Sequence, residues 1–234
     1  MGSSYAHKII ISVGGSLIVP NGGIGIEFLK KLNNFVRQKL AEDETRQFFL
    51  VAGGGRTTRH YQEAARAVAG EIADEDIDWL GIHATRLNGH LLRTIFRDIA
   101  NPAIIENYDI IRKVTEPVVV AAGWKPGWST DFDSVQLCED YGAREVINLS
   151  NIEKAYDKDP KKFPDAKPID KINWAEFRKI VGDKWTPGMN APFDPIAAKK
   201  AEELGIKVVI LDGNNFDNIE NYFEDKGFVG TVIE

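Results

Sequence analysis

The residues of this sequence best suited to chemistry are glycines and small polar residues that follow short apolar runs. Gly14-Gly15-Ser16, Gly53-Gly54-Gly55, residues 123–130 and Ser150-Asn151 each come directly after such a run. Glycine lets backbone N–H groups approach an anion, and the N-terminus of a following helix adds a favourable dipole. One glycine pair after a strand is more often a plain turn, but this recurrence favours a phosphate-rich ligand.

The common phosphate-binding motifs do not explain these loops. The sequence contains no G-x-x-x-x-G-K-[ST] pattern, which disfavours the P-loop kinase fold. No G-x-G-x-x-G pattern follows the first apolar run, which disfavours a dinucleotide-binding fold. The pattern therefore indicates a different design for holding phosphate.

The elements that must position these loops alternate between strand and helix. Short apolar runs predict strands at residues 8–13, 48–52, 117–122, 145–149, 207–211 and 228–233. Apolar residues at helical spacing predict helices at residues 26–40, 56–69, 77–99, 130–141, 174–181 and 195–204. The polar, proline-containing stretch 157–170 is predicted to be irregular.

This alternation predicts an α/β fold, a three-layer sandwich whose mostly parallel central sheet is covered by helices on both faces. The carboxyl ends of parallel strands lie along one edge, where ligands bind in open sheets. We expect residues 8–234 to form a single domain and residues 1–7 to be a disordered start or an expression remnant.

Composition restricts the class of protein. The 234 residues carry a net charge of -6, with 43% hydrophobic and 27% charged residues, so no general nucleic-acid-binding role is expected. A single cysteine, Cys138, excludes a disulfide within the chain and a Cys-rich metal site. We find no apolar run of membrane-spanning length and no signal-peptide core, and we expect a cytoplasmic protein without membrane partners.

Several motifs carry a resemblance to a known family. The string Val13-Gly14-Gly15-Ser16-Leu17 resembles the opening motif of the amino-acid-kinase superfamily, and residues 51–59 resemble the triple-glycine segment of uridylate kinases, above all the archaeal type. Further matches occur in the same order along the chain at residues 78–82, 85–89, 123–131, 150–151, 156–160, 194–199 and 230–231. Together they cover the sequence from about residue 8 to the C-terminus.

The resemblance implies an activity and an organisation. It implies Mg²⁺-dependent transfer of the γ-phosphoryl group of ATP to UMP, in pyrimidine nucleotide supply. An acceptor lobe would extend to about residue 140, and an ATP lobe would follow it. Family members are commonly assembled from several copies, so a homo-oligomer is expected, with a hexamer favoured by the resemblance.

The resemblance also implies roles for individual residues. It implies ATP contacts at Gly15, Ser16, Gly55, Arg59, Ser150, Asn151, Tyr156 and Asp159. It implies UMP contacts at Gly54, Asp78, Gly123, Trp124, Lys125, Pro126, Gly127, Trp128, Ser129 and Thr130. Arg59, Asp131 and Asp194 are the catalytic candidates, the two carboxylates orienting cationic groups or the metal, with Lys199 a weaker candidate for transition-state charge. No metal site built from protein ligands alone is predicted.

Departures from the family pattern keep alternatives open. Ser12 stands where many members carry a lysine, residues 150–156 lack the usual glycine, and residues 185–190 have no counterpart. One alternative keeps the fold and changes the acceptor, as in isopentenyl phosphate or amino-acid kinases. Another is a non-catalytic nucleotide-binding or storage protein, as molybdenum-storage relatives suggest.

Individual site residues also have plainer interpretations. The glycines could form tight turns only, and Arg59 could pair with a neighbouring glutamate. Asp78 could be a surface carboxylate on an amphipathic helix, while Trp124 and Trp128 could serve packing or oligomer contacts instead of a base. His60, His83 and His90 are expected to be solvated or packed, since no third metal ligand is evident.

Overall fold

The computed structural model describes residues 5–184 and 191–234 of the chain. The prediction for the first four residues, and the segment 185–190 that has no family counterpart, lie outside the described residues. Residues 5–7 are described, and His7 is already part of the first strand.

A seven-stranded sheet forms the middle layer. Its strands in chain order are β1 (His7–Val13), β2 (Arg46–Ala52), β3 (Val118–Ala121), β4 (Glu145–Ser150), β5 (Lys171–Ile172), β6 (Lys207–Asp212) and β7 (Thr231–Ile233). Their order across the sheet is β3-β2-β1-β4-β6-β7-β5. The first five in that order run parallel, β7 runs antiparallel to β6, and β5 runs parallel to β7.

Helices cover both faces of the sheet. The described residues form α1 (Gly15–Ile18), α2 (Ile26–Glu42), α3 (Gly55–Ala69), α4 (Asp74–Ile95), α5 (Thr130–Tyr141), α6 (Trp174–Val181), α7 (Pro195–Leu204) and α8 (Phe216–Phe223). One buried cluster joins the sheet to α1, α2, α8 and the C-terminal part of α4. A second cluster joins the opposite face to α5, α6 and α7. The predicted three-layer α/β sandwich is therefore confirmed.

The sheet register brings the predicted loops together. Val13, the last residue of β1, pairs with Ala52 at the end of β2 and with Leu149 near the end of β4. Three neighbouring strands thus end at the same level. The chain runs outward from β1 to β3 on one side and resumes beside β1 with β4, so the topological switch point lies between β1 and β4.

Most predicted elements are present, and two were misjudged at their limits. The predicted strand 228–233 is reduced to β7, because Asn218 binds the backbone ahead of it: its amide donates to the Val229 carbonyl and its side-chain oxygen accepts the Val229 N–H, each at 2.7 Å. The helix predicted at 77–99 begins at Asp74 instead, where acidic residues in the first turn favour a helix N-terminus.

Three elements were missed by sequence reasoning. The helix α8 begins after the N-cap Asn215, whose side chain accepts the Asn218 N–H at 3.1 Å, and it buries Ile219. The four-residue α1 and the two-residue β5 are too short for hydrophobic periodicity to reveal. No helix in the described ranges combines the length and the hydropathy that crossing a membrane requires.

Candidate functional site

A cavity of about 320 Å³ opens at the carboxyl edge of the sheet, around the switch point between β1 and β4. All four loops singled out in the sequence contribute to its wall. The lining residues are Gly15, Ser16, Gly53, Gly54, Gly55, Thr58, Arg59, Gln62, Asp78, Gly81, Ile82, Thr85, Gly123, Trp128, Ser129, Thr130, Asp131, Ser150, Asn151, Ala191 and Asp194.

The loops after β1 and β2 touch backbone to backbone. A β-carbon on Gly15 would lie 2.0 Å from the Gly55 nitrogen, and one on Gly55 would lie 2.1 Å from the Gly15 oxygen. Gly55 also has φ +64°, a conformation that side chains disfavour. Glycine is therefore required at both positions for the two loops to meet, which is more than an isolated tight turn demands.

Arg59 reaches the cavity from the first turns of α3. The helix begins at Gly55, where the first backbone N–H groups have no acceptor within the helix. Arg59 is the one cationic residue among the described residues of the cavity wall. Within the described residues Arg59 forms no ion pair with a neighbouring glutamate, and Glu63 lies 3.6 Å from Arg56.

Asp78 forms part of the wall and is 8% exposed. Its Oδ2 accepts the Gly127 N–H at 2.7 Å, which ties α4 to the loop after β3. Burial raises the pKa of the Asp78 carboxyl, and the Gly127 hydrogen bond opposes that rise. The alternative of a plain surface carboxylate is therefore wrong.

Two further residues of α4 hold the same loop, and sequence reasoning assigned them no role. The Thr85 hydroxyl accepts the Gly123 N–H at 2.9 Å. The Arg86 guanidinium donates to the Gly123 carbonyl at 3.1 Å and to the Trp124 carbonyl at 2.9 Å. The signal available in the sequence was the motif at 85–89, which matched the family without revealing what its side chains contact.

The aromatic residues of this loop pack mainly on one another. The rings of Trp124 and Trp128 meet edge to face with centroids 4.7 Å apart, and the Lys125 ammonium lies 3.7 Å from the Trp124 ring centroid. Trp128 lines the cavity together with Gly123, Ser129 and Thr130. Trp124, Lys125, Pro126 and Gly127 lie outside the lining set, so among the predicted UMP contacts they are placed to support the wall.

Asp131 and Asp194 meet at the cavity wall, beside Ser12. Asp131 accepts the Asp194 N–H at 3.1 Å and the Ser12 hydroxyl at 3.4 Å. Asp194 is also the N-cap of α7 and accepts the Ala197 N–H at 2.9 Å. Desolvation, and then repulsion by Asp194, raises the pKa of Asp131 to about 7, and desolvation raises that of Asp194 as well.

A third carboxyl group lies behind this pair and was not singled out in the sequence. Asp133 is fully buried, and neither of its carboxylate oxygens has a hydrogen-bond partner in the described structure. Burial raises its pKa well above the ordinary value, and the nearby Arg86 guanidinium only partly opposes this. Burial without a hydrogen-bond partner therefore disfavours the ionised form of the Asp133 carboxyl.

The predicted ATP contacts divide into two groups. Gly15, Ser16, Gly55, Arg59, Ser150 and Asn151 line the cavity. Tyr156 and Asp159 do not: they lie on the irregular stretch after β4, where Tyr156 bridges to Pro168 and Asp159 accepts the Lys161 N–H at 3.0 Å. Their contact with ATP stays a prediction. Lys199 is exposed on α7 and lies outside the lining set.

Five other lining residues were missed: Thr58, Gln62, Gly81, Ile82 and Ala191. Thr58 is notable because its hydroxyl is buried without a partner among the described residues. It follows the triple glycine by one helical turn, a spacing that could have indicated it. The histidines considered above, His60, His83 and His90, are all exposed, as expected.

Comparison with known proteins places this architecture in a family. The model of the amino acid kinase family matches residues 7–212. Uridylate kinase from Methanoculleus marisnigri is 34% identical over 97% of this chain and 95% of its own length. Uridylate kinase from Methanospirillum hungatei is 33% identical over 96% of this chain and 94% of its own length.

A solved structure agrees with the sequence comparison. The crystal structure of uridylate kinase from Archaeoglobus fulgidus superposes with a TM-score of 0.78 at 29% identity, covering 97% of this chain and all of that one. The chain belongs to the amino acid kinase family, in its uridylate kinase branch.

Proposed function

We propose that this protein transfers the γ-phosphoryl group of ATP to UMP. The observation that carries this proposal is one cavity at the sheet's switch point that joins the predicted contacts for both nucleotides. Asp78 and the loop after β3, Ser150 and Asn151, and Arg59 with the glycine loops all line this cavity. Uridylate kinase relatives that match almost the whole chain support the same activity.

The chemistry asks little covalent participation from the protein. Phosphoryl transfer depends on alignment of the two substrates and on neutralisation of charge over the transferred group. The backbone N–H groups of the glycine loops and the Arg59 guanidinium are donors of the kind required, held in place before the reaction begins. An arginine suits this position because its planar fork can bridge two phosphate oxygens.

Mg²⁺ is part of this proposal. The described residues contain no group of three or more His, Cys, Asp or Glu side chains that could hold a metal by themselves. Asp131 and Asp194 nevertheless present two adjacent carboxyl groups at the cavity wall, and Mg²⁺ is commonly held by one or two carboxylates together with substrate phosphates. When bound there with ATP, it would neutralise phosphate charge.

Acceptor choice is the direct test of the proposed function. With Mg²⁺-ATP, we expect phosphorylation of UMP in preference to CMP, AMP and GMP, because Asp78 and the loop after β3, which carry the UMP contacts implied by the resemblance, lie together at the cavity. The measurement is the steady-state rate of nucleoside diphosphate formation, with the product quantified by chromatography. Equal turnover of all four acceptors, or no turnover of UMP, would contradict it. Binding of ATP without any turnover would favour the non-catalytic alternative.

We also propose that the protein acts in the cytoplasm as a homo-oligomer, a hexamer being the form favoured by resemblance. The helix α3 supports self-association: its only buried residue is Gln62, while Tyr61 is 62% exposed and Val68 is 90% exposed. Leu87 on the adjoining α4 is 65% exposed. Apolar side chains exposed together on neighbouring helices are typical of an interface.

This surface predicts the behaviour of Val68→Glu. A charge placed in an apolar interface is desolvated without a partner, so we expect the variant to dissociate into smaller species. Light scattering coupled to size-exclusion chromatography measures the mass directly. Phe163→Glu, at a 47% exposed apolar position on the stretch after β4, is the control and should leave the mass unchanged. A monomeric wild-type protein would refute self-association.

A further inference from the structure

A buried amide on α4 holds the triple-glycine loop. Asn88 is 2% exposed, and its Nδ2 donates to the Gly53 carbonyl at 2.8 Å and to the Gly54 carbonyl at 3.2 Å. One side chain therefore captures two consecutive carbonyl groups of the loop. Asn88 does not line the cavity, so it has no place among the substrate contacts described above.

Because the peptide bond is planar, these hydrogen bonds also fix the direction of two backbone N–H groups. In a planar trans peptide, the C=O of one residue and the N–H of the next point in opposite directions. Because Asn88 holds the carbonyls of Gly53 and Gly54, the N–H groups of Gly54 and Gly55 must point away from α4. In the described part of the chain, neither N–H donates to a protein acceptor.

These two N–H groups belong to the cavity wall. Gly54 and Gly55 both line the cavity, and a β-carbon on Gly15 would lie 2.7 Å from the Gly54 nitrogen and 2.0 Å from the Gly55 nitrogen. The pair of donors is therefore at the meeting point of the loops after β1 and β2. Adjacent free N–H groups at such a point suit the oxygens of a phosphate group.

We propose that Asn88 is a positioning residue that aims the Gly54 and Gly55 N–H groups at phosphate oxygens of the bound nucleotides. This inference rests on the proposed function and adds to it a residue that touches neither substrate. Without the amide, both carbonyls are free to rotate, and each rotation carries an N–H away from the phosphate. Loss of Asn88 should therefore weaken the recognition of phosphate and leave the nucleoside contacts in place.

The test compares variants that cannot donate from this position. Asn88→Asp keeps the shape and loses the donor, and Asn88→Ala loses the donor without adding charge. We expect kcat for UMP to fall by roughly 10²-fold in both, as for other preorganised donors. Calorimetric titration then gives the ratio of the uridine and UMP dissociation constants, which isolates the phosphate contribution. We expect that ratio to fall by about 10-fold or more in both variants.

Asn218→Asp is the matched control. Asn218 is also a buried asparagine whose amide donates to a backbone carbonyl, that of Val229 at 2.7 Å, but neither residue lines the cavity. A purely structural role for Asn88 would lower the melting temperature as in the control and leave the uridine-to-UMP ratio at the wild-type value, which would overturn the inference. A loss confined to Asn88→Asp would also overturn it, because added charge would then be the cause.

The same experiment separates this inference from the proposed function. A wild-type protein that fails to phosphorylate UMP contradicts the function itself. A wild-type protein that phosphorylates UMP, together with Asn88 variants that keep both kcat and the binding ratio, contradicts only the role of Asn88.

Discussion

Replacing Arg59 with alanine is expected to lower kcat by roughly 10²-fold or more, the loss seen when a preorganised donor to a developing charge is removed. Arg59 is the one cation among the described lining residues, and Ser12 stands where many family members carry a lysine. We therefore expect this guanidinium to supply much of the stabilisation of the negative charge that develops on the phosphoryl group during transfer. Steady-state kinetics with Mg²⁺-ATP and UMP measures the effect, after circular dichroism has confirmed folding.

Two comparisons make the Arg59 result specific. Arg56→Ala removes a neighbouring arginine that contacts His60 and Glu63 and lies outside the lining set, so its kcat should stay near wild type. Asp78→Ala should act mainly on the KM for UMP, because the UMP contact that the resemblance implies for Asp78 would be made in both the ground and the transition state. If Arg59→Ala changes only KM and Asp78→Ala matches wild type, the site residues are wrongly assigned.

Replacing Asp131 with asparagine is expected to stabilise the protein above neutral pH while impairing catalysis. Desolvation and the neighbouring Asp194 raise the pKa of Asp131 from 3.8 to about 7 in the folded state. A pKa shift of this size corresponds to at most about 4 kcal/mol in the free energy of unfolding, and solvent in the cavity reduces that contribution by screening the charge. An asparagine has the same shape and no charge to desolvate, but it cannot balance a metal ion or a cationic group.

The pH dependence of this effect has a definite sign. Between pH 3.8 and about 7, the folded wild-type protein holds a proton on Asp131 that the unfolded chain releases, so the free energy of unfolding falls as pH rises through this window. Below the window the carboxyl is protonated in both states, and above it the carboxyl is ionised in both. The advantage of Asp131→Asn should therefore grow from pH 4 to pH 7 and level off above it.

Urea unfolding at a series of pH values, with chelator present and without nucleotide, measures this difference. The carboxyls of Asp133 and Asp194 have raised pKa values of the same sign, and Asp131 itself raises the pKa of Asp133, so the difference between variant and wild type measures Asp131 together with its effect on these neighbours. Asp109→Asn, at an exposed loop carboxylate, is the control and should show no such slope. If the difference in unfolding free energy between Asp131→Asn and wild type does not change with pH, the pKa of Asp131 is not raised in the folded protein.

The sequence alone determined most of the elements and the sheet edge at which the cavity opens. Hydrophobic periodicity and glycine punctuation are local properties, because each depends on residues within a few positions of one another. They were enough to predict the strand that ends at Val13, the helix over Trp174–Val181 and the four loops around the cavity. The family motifs added roles for individual residues, and most of these residues do line the cavity.

Only the tertiary structure decided which side chains hold those loops in place. Asp78 meets Gly127 across 49 positions of sequence, and Asn88 meets Gly53 across 35. Neither contact follows from local pattern, because each depends on how α4 lies over the carboxyl ends of β2 and β3. For the same reason the sequence did not reveal that Asp133 is buried or that Val68 on α3 is exposed. A helical side chain becomes buried only when a neighbouring element packs over it.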